Sequence, residues 1–306
     1  MNALLLLLTG VAIIPSIAWG AQDRRAGLLD ADRAASKASS DSGTSLMLAA
    51  RLDSAGVLLW PGAPVVIGSA EVKRLLTSGA SRDSTRLTWQ PLGITLAHDS
   101  AVGMTWGIAA TTPRLVPGPP QFGRYMIAWR RRGDHWLMDA VLFSGIVPPM
   151  STVPADLPRT RSPAIDTGAA GPFVAADLAF ARLAASRGAA KAFRHWAAPD
   201  ATIFGERGLL TRGPDAIARG VAGPDLWRWH PVAAGASSAG DLGWTVGEAV
   251  IAPQTGDPIY SKYLTIWIRN ATGLPRFITD GGNLRPDGAA TKPKPQSPDS
   301  VPKPQH

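Results

Sequence analysis

The chain has 306 residues, 31 Lys and Arg against 23 Asp and Glu, a net charge of +8, 45% hydrophobic residues and no Cys. That length allows two ordinary domains of about 100–200 residues each, and the missing Cys excludes disulfides, thiolate metal ligands and a lipid-anchoring Cys. The basic excess does not read as a nucleic-acid surface, because its dense cluster, Arg130 to Arg132, sits at a hairpin turn before Gly133 and Asp134.

The first 14 residues are apolar, and Ala18 and Gly20 put small residues three and one before the polar stretch that starts at Ala21. This predicts a signal peptide over 1–20, cleaved after Gly20, and a periplasmic or secreted product. No Lys or Arg stands near Met1, so the amino terminus alone supplies the positive end. An uncleaved anchor is the alternative; Pro15 and the short run argue against a stable span, and none is expected after cleavage.

Beyond the leader the chain says nearly the same thing twice. Asp32 aligns with Asp177 at an offset of 145, and on that register Gly43 meets Gly188 and Gly68 meets Gly213. At an offset of 140, Trp89 to Pro91 faces Trp229 to Pro231, and Gly103 to Gly107 faces Gly243 to Gly247. At 138, Arg124, Tyr125 and Trp129 face Lys262, Tyr263 and Trp267. A unit longer than the roughly 20–50 residues of a solenoid repeat is a duplicated domain. The expected division is repeat one over 28–145, a linker over 146–171, repeat two over 172–285 and a disordered Pro- and Lys-rich tail over 286–306.

Each copy opens with helix signals. In the second, Phe173, Ala176, Phe180 and Leu183 recur at three- and four-residue spacing, and Ala189, Phe193, Trp196 and Ala197 continue on a second helix. A short apolar strand follows (Val57 to Trp60; Ala201 to Phe204), then a third helix, started by Ser69 in one copy and Pro214 with Asp215 in the other. The remainder alternates as strands, with glycines inside that mark bulges or bends. The result is an α+β class: two tandem domains, each a bent antiparallel sheet covered by three helices.

This order, with its Tyr-x-x-x-Trp strand (Tyr125 to Trp129; Tyr263 to Trp267) and Gly-x-Thr-x-Gly strand (Gly103 to Gly107; Gly243 to Gly247), resembles the nuclear transport factor 2-like (NTF2-like) superfamily. That group includes ketosteroid isomerase, scytalone dehydratase and SnoaL-like proteins. The resemblance implies two cones, each enclosing a pocket, and pairing of the copies through their sheets as an internal pseudo-dimer, so that the chain is a monomer. It does not imply one activity, since members range from isomerases to pure binding domains.

No nucleophile, metal or phosphate-loop constellation is present, and no cofactor is called for: the five His lack ligand spacing and no Gly-x-Ser-x-Gly elbow occurs. The candidate catalytic residues are His230, Glu248 and Asp280, polar groups on strands of the second copy. The candidate ligand-binding residues are Asp177, Trp229, Trp244 and Tyr263. By period two Glu248 shares a face with Trp244 and Val246, and the sequence does not say which side of the sheet that is. A solvated strand residue, or a partner for Arg269, explains Glu248 as simply, and a hydrogen-bonded core or rim position explains His230. For Asp32 and Asp177 a cap or ion pair is the cheaper reading, and the recurring Trp pairs read as packing. The preferred expectation is an exported protein binding a small hydrophobic ligand; the alternative is a cofactor-free lyase or isomerase in repeat two. The second cone is expected to hold the larger, more polar cavity, and the first to be filled by Trp106 and Met104.

Overall fold

The computed structural model describes residues 16–78, 85–114, 118–145, 169–204, 210–269 and 272–286. The first half contains α1 (Ser16–Ser42), α2 (Thr44–Arg51), β1 (Leu52–Leu59), β2 (Val66–Ile67), α3 (Ser69–Ser78), β3 (Thr85–Leu96), β4 (Val102–Pro113), β5 (Gln121–Arg132) and β6 (His135–Ser144). The second repeats that order as α4 (Gly171–Arg187), α5 (Ala189–Trp196), β7 (Ala197–Phe204), β8 (Leu210–Arg212), α6 (Pro214–Gly220), β9 (Leu226–Ala236), β10 (Leu242–Ala252), β11 (Ile259–Arg269) and β12 (Pro275–Leu284). The leader up to residue 15, most of the linker and all of the tail beyond residue 286 lie outside the described residues, while Ser16 to Gly20 begin α1. Among the described residues no helix is long and apolar enough to cross a membrane.

The matched glycines explain the repeat physically. Gly43 and Gly188 break the first helix from the second at φ 97° and 83°, and Gly68 and Gly213 precede the third helix at φ 94° and 82°. Only glycine adopts such angles without a steric penalty, so both copies keep glycine at both joints.

Each sheet has six strands, in the orders β2-β1-β6-β5-β4-β3 and β8-β7-β12-β11-β10-β9. The long strands are antiparallel, as their alternation predicts. The sheets are nevertheless mixed, because β1 runs parallel to β6 and β7 parallel to β12. Parallel neighbours need a long crossover, here everything between them in each copy, and such a pairing leaves no local sequence mark. Bulges fall between Pro91 and Gly93 and between Val246 and Gly247, where proline cannot donate to the ladder.

The two sheets press face to face. Val57, Leu59, Met104, Met126, Ala128 and Leu142 of the first form one buried layer with Val232, Leu242, Trp244, Val246, Leu264 and Ile266 of the second. The β3–β4 and β9–β10 turns exchange hydrogen bonds. Ser238 N and Oγ donate to Asp99 Oδ2 at 2.9 and 2.6 Å, and His98 N donates to Asp241 Oδ2 at 2.8 Å. At the other end Asn283 Nδ2 donates to the carbonyls of Leu59 and Phe143 at 2.8 and 2.7 Å. One expectation is corrected here: Met104 lies in the intersheet layer and Trp106 packs against it, so neither fills the first cone. That cone is filled by Trp60, Leu87, Trp89, Tyr125 and Phe143. Odd-numbered residues of β4 face inward, and the even ones meet the other sheet.

Candidate functional site

The residues shared by both copies build a hydrogen-bonded frame. Asp177, fully buried on α4, accepts from Trp229 Nε1 at 2.8 Å and from the Tyr263 hydroxyl at 2.9 Å. Thr245 also bonds this carboxylate, and Trp267 Nε1 donates to Thr245 Oγ1 at 2.9 Å. The first copy repeats every element. Asp32 accepts from Trp89 at 3.2 Å, Thr105 at 2.8 Å and Tyr125 at 3.0 Å, and Trp129 donates to Thr105 at 2.8 Å. The cap and ion-pair readings of these aspartates are therefore wrong. They are buried acceptors that align three donors each, and the recurring Trp residues are donors as well as packing. Burial pushes both carboxyls up, Asp177 to about 6, against the hydrogen bonds that hold them down.

Inside this frame the second cone holds a cavity of about 640 Å³. Its deep wall is aromatic, with Phe180, Phe193, Trp227, Trp229 and Tyr263, and its acid is Asp280 on β12. Thr265 Oγ1 donates to Asp280 Oδ2 across the β11–β12 ladder. Asp280 is accessible only in part, and protein encloses it on its other sides. Burial is the largest influence on its carboxyl and moves it to about 7; the Asp177 carboxylate adds to the rise and the Arg124 guanidinium opposes it.

The first cone differs at the same ladder positions. Ile127 pairs with Val141 where Thr265 pairs with Asp280, and Tyr125 pairs with Phe143 where Tyr263 pairs with Gly282. Phe143 packs on Trp89 with ring centroids 5.4 Å apart. A phenyl ring thus occupies one cone at the position where the other has no side chain. The polar difference between the copies lies at Asp280 and Thr265, not at Glu248 and His230.

Of the sequence candidates, Asp280, Trp229 and Tyr263 line the cavity. Asp177 stands behind it and holds the two ring residues in place. Trp244 does not line it, because its side chain lies in the intersheet layer, where Nε1 donates to Asp139 Oδ2 at 3.3 Å. Glu248 lies on that outer face too, 3.6 Å from Arg285, while Arg269 donates to the Gly240 carbonyl instead. His230 is exposed and is the cross-strand neighbour of Glu248. His230 and Glu248 therefore share the face opposite the cavity, which removes them from any chemistry inside it. Lys262, the cross-strand partner of Glu248, also borders the cavity; it is fully buried, with Nζ donating to the Leu284 carbonyl at 2.8 Å. Burial pushes its amine down to about 7.

Sequence reasoning missed Thr265, Trp227, Phe180 and Arg124. The change from Ile127 and Val141 to Thr265 and Asp280 was a usable signal in the repeat alignment. Nothing in the sequence marks Arg124, a first-repeat residue on the rim of the second cone.

No family model matches the chain, and no curated protein matches it. Solved structures do. An NTF2-like protein of unknown function from Pseudomonas putida is 14% identical with a TM-score of 0.34, covering 42% of this chain and 95% of its own. An NTF2-like protein with a cystatin-like fold from Novosphingobium aromaticivorans is 16% identical, TM-score 0.32, covering 37% and 80%. A ketosteroid isomerase-like protein from Erwinia carotovora atroseptica is 14% identical, TM-score 0.32, covering 39% and 96%. Each likeness spans about one repeat. By its element order and sheet topology, each half of the chain is a six-stranded mixed sheet with three helices, and the protein is two such α+β units in tandem.

Proposed function

We propose that the protein binds a small hydrophobic ligand in its second cone. The observation that carries this reading is the cavity of about 640 Å³, walled by aromatic side chains and holding a single carboxyl, Asp280. A concave apolar site with a few converging polar groups is the usual form of a small-molecule pocket. The protein soaked with a panel of hydrophobic fragments is expected to show density or chemical-shift changes clustered in residues 173–284. Changes confined to residues 28–145 would overturn the assignment.

The position of Asp280 favours a second reading, cofactor-free proton transfer on a hydrophobic carbonyl compound. A carboxyl brought to about 7 is poised as a base near neutral pH. It requires hydrogen exchange at the carbon beside a ketone, lost in Asp280→Asn. The Tyr263 hydroxyl already donates to Asp177 and is not available to an oxyanion, which ranks binding first.

We further propose that the chain is exported, cleaved after Gly20, and works as a monomer whose two cones form an internal pseudo-dimer. The apolar leader supports the first statement, and the buried layer between the sheets supports the second. Protein from a periplasmic or culture fraction should begin at or next to Ala21 and scatter light as a monomer. An intact Met1 from washed membranes would sink the cleavage, and a stable dimer would sink the internal pairing.

A further inference from the structure

The rim of the second cone is completed by the other repeat. Ser144 Oγ on β6 donates to the Gly282 carbonyl on β12 at 2.9 Å, which ties the end of the first sheet to the strand that carries Asp280. The two repeats touch closely there: a Cβ added at Gly281 would stand 2.9 Å from Met126 Sδ. Arg124 is the cross-strand partner of Ser144 and lies two residues before Met126 on β5. It is thereby brought to the cavity wall, close enough to Asp280 for the two charges to interact. Its guanidinium remains charged in a protein, and its surroundings on the cavity side are largely apolar. In the repeat alignment its counterpart is Lys262, which also lines the cavity and whose Nζ donates to the Leu284 carbonyl. The lining of this largely apolar chamber therefore holds two basic residues, Arg124 from the first repeat and Lys262 from the second, with one carboxyl, Asp280.

We propose that the ligand of this chamber is a hydrophobic monocarboxylate whose head group is held by Arg124, a residue that the first repeat contributes to the site of the second. The inference rests on the ligand-binding reading above and adds the chemistry of the head group. The planar fork of an arginine matches a carboxylate, and a charge-assisted bond in a poorly hydrated site is about twice as strong as a neutral one. The carboxyl of Asp280 in its protonated form donates to the second oxygen of the ligand. The aromatic wall of Phe180, Phe193, Trp227 and Trp229 takes the apolar body. On this account the first repeat is part of the binding site rather than a spare copy.

The test is calorimetric titration of the full chain with decanoate and with 1-decanol at about pH 7. Decanoate is expected to bind at least about tenfold more tightly than decanol. Arg124→Gln should bring decanoate to the affinity of decanol, and Arg124→Lys should leave an intermediate preference. Decanol binding as tightly as decanoate, or a preference that survives Arg124→Gln, overturns the proposal while leaving the ligand-binding reading intact. If neither compound binds the wild type, both readings fall. Should Arg124→Gln bind neither, Arg124→Lys decides: a full wild-type preference there counts against the fork, and a reduced one supports it.

Discussion

Asp177→Ala is expected to lower the stability of the protein by about 3–5 kcal/mol. The carboxylate accepts from Trp229 and Tyr263 and is also bonded by Thr245, in a place closed to water. Its removal leaves these donors buried without an acceptor, at about 1–3 kcal/mol each. An opposing effect must be separated, because burying an ionised carboxylate is itself costly. Its carboxyl is pushed up to about 6, so the comparison belongs near pH 5, where the native group is mostly neutral and little charge is relieved. Asp177→Asn keeps an acceptor and should cost less than half as much. Urea denaturation measures both variants. A loss below about 1 kcal/mol for Asp177→Ala would mean that the frame does not bear on stability.

Asp280→Asn should change two measurements at once. The native carboxyl titrates at about 7, whereas in the unfolded chain it returns to the ordinary aspartate value of 3.8. Between those values the folded state holds a proton that the unfolded state has released. The contribution of Asp280 to stability is therefore fully present below about pH 4, falls as pH rises toward 7, and is constant beyond. The total fall is on the order of 4 kcal/mol. Asn cannot ionise, so the variant should gain on the wild type progressively between about pH 4 and pH 7 and keep that gain at pH 8. The fall due to Asp177, complete by about pH 6, remains in both proteins. Parallel stability curves across this window would show that Asp280 is not held in an unfavourable charged state. The second measurement is deuterium exchange beside the carbonyl of a hydrophobic ketone. If Asp280 is a general base, exchange should slow by about 10²–10⁴-fold in the variant. An unchanged rate removes the proton-transfer reading and leaves the binding one.

Much of the architecture was legible in one dimension because its causes are local. Glycines at positive φ are tied to particular turns, so Gly43 with Gly188 and Gly68 with Gly213 mark the helix joints of both copies. Helical spacing around Phe173, Ala176 and Phe180 follows from one buried face. Strand alternation is local too, and it correctly grouped Trp244, Val246 and Glu248 on one side.

Which side that was could not be read, because a period of two divides a strand into two faces without labelling them. The label comes from what the sheet packs against. In this protein the face with Glu248 and Trp244 meets the other sheet, and the face with Thr245 and Gly247 closes the cone. For the same reason Asp177 could be matched to Asp32 by sequence, while its donors, 52 and 86 residues away, could not be assigned. The sequence alone determined the duplication, the α+β order within each copy and the candidacy of Asp280. Tertiary structure decided the cavity, because Gly282 stands where Phe143 fills the other cone, and it decided the company of Asp280. The meeting of Arg124 with Asp280 depends on two sheets, each built from a separate half of the chain, packing together, a contact between distant residues that no local pattern encodes.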